Sequence, residues 1–451
     1  LVSCRGTFGS GGTFDAWRNE AQDGVGVVEW MRTQEWYTGS FATMGGSYLG
    51  FVQWALLQDP PEDMVAAVIQ CSPHDFSQHL WGTGSLALEF VTWGETMVHQ
   101  EGTGFLATLK SMNTPRRMRP VLDRVPLAEG VKEYLAGSAP WLDFVVDHPD
   151  TSDPYYEQMK CGQALERAKI PIFLVGGWYD VFARQTMEQY TRLSAHNPNI
   201  ALLMGPWHHM QVGLQSSINW KSFSWMEEHL AKRPPRAKDA AVKYFTTGAE
   251  TWRSVDKWPP PTHAKELHLH PNNLLADTKS STPHHSSFTL DPNAPTPTTG
   301  GNLLLGGGSA DDTSLSHRAD VLIFITEPLP SDLEIAGPIV VELSHSSDDP
   351  HVDLSVRLSE VSAKGRSRGI TNAYQRLDVQ RSESIVTLSL YERAHVFRKG
   401  NRIRLIIAGA SHPQFAINEG VGVDEVSGKL RCVTHTIAYG GDCVSRVVLP
   451  V

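Results

Sequence analysis

The hydrophobic pattern of this chain changes period near residue 245, and that change limits the architectures open to it more than any other feature. Before it, apolar residues recur at three- and four-residue spacing in some stretches and form short continuous runs in others, the alternation of an α/β domain. Residues 18–34 read as a helix, with Ala21, Val25, Val28 and Met31 in register. A short strand is expected at 41–44 and a helix at 52–57, which Pro60 and Pro61 cannot continue. Buried strands are expected at 65–69, 171–175 and 200–204. After the change, alternating runs at 266–270, 321–325, 339–343, 352–356 and 402–407 are separated by turn-rich stretches, which predicts an all-β sandwich or jelly roll. The stretch 278–301 is rich in Ser, Thr and Pro, has too few apolar residues for a core, and reads as a long surface loop.

About a hundred residues separate the strands at 65–69 and 171–175, far more than a crossover between parallel neighbours needs. Trp81, Phe90, Trp93, Met97, Trp141 and Phe144 recur through that insert, which predicts a helical cap lying over the sheet. The 451 residues are more than one core supports. They divide on this reading into an α/β domain (1–73 and 165–243), a helical cap (74–164) and a β-sandwich or jelly-roll domain (244–451), with a basic, Pro-containing connector at 232–236.

Composition narrows the partners. Acidic residues outnumber basic ones, 49 to 39, for a net charge of −10, and no dense Lys/Arg stripe is present, so nucleic acid is not expected to bind. No apolar run approaches the roughly 18–20 residues of a membrane span, and no leader is in view, so the expected compartment is the cytoplasm. Five cysteines (Cys4, Cys71, Cys161, Cys432, Cys443) are few and odd in number, with no C-x-x-C pair. Neither a disulfide framework nor a structural zinc site is implied. Cys432 and Cys443 are near enough in sequence to bridge a hairpin, but free thiols are expected.

The chemistry concentrates at three turns. A strand enters and a helix leaves the turn around Ser47, with glycines at 45, 46 and 50. A nucleophile elbow needs this arrangement, because the serine is held on a tight turn with its hydroxyl exposed and small neighbours around it. The helix start that follows offers free N–H groups where an oxyanion develops. The plain alternative is a glycine-rich turn with a solvated hydroxyl. A serine hydroxyl also needs a base and an orienting acid. Asp180 follows the strand at 171–175 through Gly176-Gly177-Trp178-Tyr179, and His209 follows the strand at 200–204 through Gly205-Pro206-Trp207-His208. The order Ser, Asp, His and the placement at strand carboxyl ends agree independently.

These stretches resemble the hydrolases of the cocaine esterase and X-prolyl dipeptidyl-peptidase group, the CocE/NonD type of serine peptidase family S15. Gly45-Gly46-Ser47-Tyr48-Leu49-Gly50 matches that family's G-x-S-Y-x-G, and the segments ending at Asp180 and His209 match its G-W-Y-D and G-P-W-x-H. Arg5-Gly6 with Gly9, Gly12 and Phe14 is similar to its D-x-R-G-x-x-x-S-x-G-x-F stretch, with Ser3 where the Asp would stand. Residues 146–150, Trp252-Arg253 and Trp258-Pro259 also fit, so the resemblance spans essentially the whole chain.

The resemblance implies an α/β-hydrolase domain with an inserted helical cap and a C-terminal all-β jelly roll. It implies Ser47 as nucleophile, His209 as general base and then acid, Asp180 as the carboxylate orienting His209, and the Tyr48 backbone N–H as one oxyanion donor. The family's second donor, a tyrosine hydroxyl from an upstream segment, has no counterpart to assign here. No cofactor and no metal are implied, and the partner is a small-molecule ester or a peptide. The family sheet has about eight strands, against four counted here, which leaves an open edge. The expectation is a poorly stable chain, a homo-oligomer along that edge, or a fragment of a longer gene product, and in any case a weak or inactive hydrolase.

Other candidates are weaker. His208 reads as a spacer beside His209. His268 and His270 share a strand face that could hold a metal. Trp81 and Trp93 are candidates for an apolar acyl pocket, or pack between helices. Asp75, Glu89 and Glu95 of the cap either pair with a substrate amine or are solvated. The substrate therefore stays open between carboxylic esters, X-Pro peptides, and amino-acid esters or β-lactams. The rival of another class is a non-catalytic relic that acts through its jelly roll.

Overall fold

A computed structural model describes residues 2–102, 113–234, 240–420 and 430–451, so Pro235 and Arg236 of the expected connector lie outside the described residues. The first sheet runs in simple order: β1 (Phe41–Gly46), β2 (Met64–Gln70), β3 (Ile172–Tyr179), β4 (Ile200–His208), β5 (Val242–Thr246) and β6 (Thr251–Val255). Strands β1 to β5 are parallel, and β6 returns antiparallel to β5. All eight residues of β3 are buried, as a strand covered on both faces requires.

Helices cover the two faces. On one side α2 (Tyr48–Leu56) and α8 (Ala183–Ser194) set Phe51, Trp54, Tyr190 and Leu193 against Ala67, Ile69, Leu174 and Leu202. On the other, Ile218 of α10 (Ser216–His229) packs against Val68, Phe173, Val175 and Leu203. Helix α1 (Glu20–Arg32) lies against α2. Between β2 and β3 come α3 (Phe76–Trp81), α4 (Glu89–Val98), α5 (Thr114–Leu122), α6 (Leu127–Leu135) and α7 (Pro140–Asp147).

The second body is all β. Its strands are β7 (Ala264–His270), β8 (Leu274–Ala276), β9 (His284–Leu290), β10 (Val321–Ile325), β11 (Leu333–Gly337), β12 (Val340–Ser347) and β13 (Asp353–Val361). They continue as β14 (Ser367–Arg376), β15 (Ile385–Ser389), β16 (Arg393–Phe397), β17 (Arg402–Ala408), β18 (Val433–Tyr439) and β19 (Arg446–Pro450). Eleven form one large, mostly antiparallel sheet wrapped on its own apolar core, and β11 pairs with β16 apart from it.

Two expectations need correction. The first sheet has six described strands, not four, and runs past the expected division at 243/244. Strand β6 is largely exposed, so it carries no apolar run by which to read it. The stretch 278–301 is not all loop, because β9 pairs with β18 along its length. Only Phe288 and Leu290 of β9 are buried, and its open face is made of hydroxyl pairs such as Ser287–Thr436 at 2.9 Å.

Candidate active site

Ser47 stands between β1 and α2 with φ 56° and ψ −124°, a left-handed backbone that a non-glycine residue adopts only when its surroundings impose it. Its N–H donates to Gln70 O at 2.9 Å, and its carbonyl accepts from Gly50 N and Phe51 N at 3.0 and 3.1 Å. The glycines are required by space. A Cβ on Gly50 would meet Ser72 Cβ at 2.4 Å, and one on Gly45 would meet Leu49 Cβ at 2.7 Å. The Tyr48 N–H opens the first turn of α2, where a helix has no carbonyl of its own to offer.

Asp180 follows β3 just past an irregularity in the β3–β4 ladder between Gly177 and Tyr179. Its carboxylate is fully buried and accepts from Phe182 N at 3.0 Å and from His209 Nδ1 at 2.6 Å. His209 opens the short helix α9 (His209–Val212) directly after β4, and its Nε2 lies 2.9 Å from Ser47 Oγ. A carboxylate only accepts, so Nδ1 carries the proton and Nε2 is left to accept from the serine hydroxyl. Burial disfavours the charged imidazole and is the largest single effect, yet the Asp180 charge and hydrogen bond, with a smaller share from Cys71, together hold the His209 pKa above the ordinary histidine range. Strands β1, β3 and β4 of one sheet thus deliver one continuous hydrogen-bonded line, Asp180–His209–Ser47.

His208 is part of the turn rather than of that line. It caps α9, its N–H donating to Gln211 Oε1 at 3.1 Å. Trp93 stacks on Tyr48 and Trp17, at centroid separations of 6.1 and 5.1 Å, so it forms part of the wall beside the elbow. Trp81 instead donates its indole N–H to Val145 O at 2.9 Å and ties α3 to α7. Phe182 sets its ring 5.4 Å from the His209 imidazole. The three carboxylates expected as substrate anchors are each engaged. Asp75 caps α3 through Gln78 N at 3.2 Å, Glu89 accepts from Leu304 N at 2.7 Å, and Glu95 pairs with Arg117 at 2.5 Å.

His268 pairs with Glu266 at 3.3 Å, and His270 bonds Thr278 O. Among the described residues the only trio spaced for a metal ion is Cys71, Asp180 and His209, and the last two are already bonded to each other. Cys432 and Cys443 are free thiols.

Four residues near the line escaped the sequence reading. Cys71, at the end of β2, has φ 38° and brings a buried thiol against His209. Glu20, at the start of α1, is buried and accepts the Tyr48 hydroxyl, and its burial raises its pKa despite that bond. Asn302 and Arg393 reach the Asp180 loop from the all-β body. Nothing local marks them, since each acts on a partner at least twenty-eight positions away.

Comparison with known proteins agrees with this architecture. Residues 1–211 match the X-Pro dipeptidyl-peptidase (S15 family) model, and residues 237–448 match the X-Pro dipeptidyl-peptidase C-terminal non-catalytic domain. Cocaine esterase of Rhodococcus sp. (strain MB1 Bresler) is 25% identical over 509 residues, covering 100% of this chain and 87% of that protein. The crystal structure of an α-amino acid ester hydrolase superposes with a TM-score of 0.84 at 19% identity, over 99% of this chain and 84% of the other. A CocE/NonD family hydrolase of Staphylococcus aureus gives 0.72 at 16% identity, over 99% and 78%. With both halves matched in order, the chain is a serine hydrolase and belongs to the CocE/NonD-type hydrolases of the S15 family.

Proposed function

We propose that the protein hydrolyses carboxylic esters of small molecules through an acyl-enzyme on Ser47. The observation that carries this reading is the position of His209, 2.9 Å from Ser47 Oγ on one side and 2.6 Å from Asp180 Oδ1 on the other. Ser47 Oγ attacks the carbonyl carbon while His209 Nε2 takes its proton. The negative charge that develops on the carbonyl oxygen meets the Tyr48 N–H at the start of α2. His209, held by Asp180, then returns the proton to the departing alkoxide. Water repeats the sequence on the acyl-enzyme and frees the acid. The helices of 74–164 serve as the cap, and the region from β7 on as the jelly-roll domain.

An ester with an apolar or aromatic acyl group is favoured over a peptide. Trp93, Tyr48, Phe76, Phe90 and Phe182 form a continuous aromatic cluster beside the elbow. A peptide amino terminus would need a free carboxylate, and Asp75, Glu89 and Glu95 are each committed to other partners. The relative named cocaine esterase points the same way.

A fluorophosphonate probe tests the reading, with p-nitrophenyl butyrate turnover as a second measure. Labelling that disappears in Ser47→Ala is the expected result. Absence of labelling at millimolar probe would overturn it in favour of a non-catalytic role for the jelly roll, and unchanged labelling in Ser47→Ala would mean that another serine reacts.

A further inference from the structure

The all-β body reaches into the first domain at the loop that carries Asp180. Asn302 is fully buried, and its Nδ2 donates to Asp180 O at 2.7 Å and to Trp178 O at 2.9 Å. Its Oδ1 accepts from Arg393 NH2 at 2.7 Å. Arg393 is also fully buried, donates through Nε to Ile370 O at 2.8 Å and through NH1 to Trp178 O, and lies over the Tyr179 ring at 4.7 Å. Among the described residues none of its hydrogen bonds goes to a carboxylate, and burial pulls its pKa down to about 10.

A buried guanidinium bonded only to carbonyls and an amide is costly, so stability alone is a poor reason for it. Its NH1 reaches the Asp180 loop directly, and its NH2 holds the Asn302 side chain that bonds the same short stretch. Trp178 O receives two of these bonds and Asp180 O one, so the backbone on both sides of Tyr179 is fixed from the other domain. The anchorage is itself rigid, because β16, which begins with Arg393, bonds Thr247 just past β5. Thr247 N donates to Ala394 O at 3.1 Å, and Val396 N donates to Thr247 O at 2.8 Å.

We propose that Asn302 and Arg393 are positioning residues for the hydrolase reaction, a clamp by which the C-terminal domain holds Asp180 in bonding distance of His209. The inference rests on the proposed Ser47–His209–Asp180 mechanism. On this view, releasing the clamp lets the carboxylate drift from the imidazole, whose protonated form then loses its partner. Partners of this kind behind an active group are typically worth ~10–100-fold.

The test compares wild type, Asn302→Ala, Arg393→Lys, Asp180→Asn and the Asn302→Ala/Asp180→Asn pair in the full chain. The readouts are the second-order rate of fluorophosphonate labelling across pH and the thermal midpoint. Asn302→Ala is expected to slow labelling ~10–100-fold and to move the acid limb of the profile to lower pH, the same direction as Asp180→Asn. Arg393→Lys keeps the charge but cannot span the four acceptors, so it carries the same expectation and serves if Asn302→Ala does not fold. In the Asp180→Asn background, Asn302→Ala should cost less than about twofold, because the two act on one step. A folded variant whose midpoint falls while its labelling rate and acid limb stay at wild-type values would overturn the clamp, as would full additivity in the pair. If Asp180→Asn itself changes nothing, the underlying mechanism fails instead.

Discussion

At the scale of single residues, the proposed chemistry depends on which atom holds a proton at a given pH. The reactive form has His209 neutral at Nε2, so activity appears as pH rises through the His209 pKa. The Asp180 carboxylate raises that pKa against the opposing effect of burial, which puts the acid limb of kcat/KM above the ordinary histidine value near 6.5. Asp180→Asn removes the raising charge and leaves the lowering burial, so the limb should shift to lower pH. The same change favours the wrong tautomer, with an expected fall in kcat of about three to four orders of magnitude and little change in KM. A pH–rate profile on a p-nitrophenyl ester measures both effects, and a limb that stays in place would exclude Asp180 as the partner.

At the scale of elements, strands β12 and β18 of the jelly roll carry a buried histidine pair. His345 Nε2 lies 3.1 Å from His435 Nδ1, Arg381 donates to His345 Nδ1 at 2.9 Å, and His435 stacks on Phe288. Burial, with the neighbouring cations, pulls His345 down to about 3, and burial pulls His435 down to about 4 against the opposing pull of Asp353 and Asp348. The unfolded chain therefore binds more protons than the folded one below pH 6.5. The stability from keeping the pair neutral is complete above that pH and drains away as pH falls toward 4. Urea midpoints should drop over this window in wild type and drop less in the His345→Gln/His435→Gln variant. Elements such as these show what the sequence could and could not reveal. Strands β2 to β4 are buried on both faces and read as apolar runs. Strand β9 buries two side chains, and β6 is largely exposed, so neither left such a trace. Ser47, Asp180 and His209 were legible because each sits in a local glycine- or tryptophan-marked turn. Glu20, Cys71, Asn302 and Arg393 were not, because what matters about them is a contact made through space.

At the scale of the whole molecule, the two bodies are joined by buried backbone bonds, which is unlike a hinge. Besides the Thr247 contacts, Leu88 N donates to Gln414 O at 2.9 Å and Arg376 N to Thr83 O at 2.7 Å, and Trp258 Nε1 reaches Glu392 at 2.6 Å. Separating the bodies would break these bonds and expose the apolar surface around them, so calorimetry should record one cooperative transition, and two resolved peaks would contradict this account. Within that unit the three proposed reacting groups are held unequally. Strands β3 and β4, which end at Asp180 and His209, each have a neighbour on both sides, whereas β1, which ends at Ser47, pairs among the described residues with β2 alone. Amide hydrogens of β1 should therefore exchange with deuterium sooner than those of β3 and β4. In the brief local openings of the native protein, the serine would part from its base more often than the base parts from its acid. Such a protein would slip in and out of its reactive form while most of its fold is still standing.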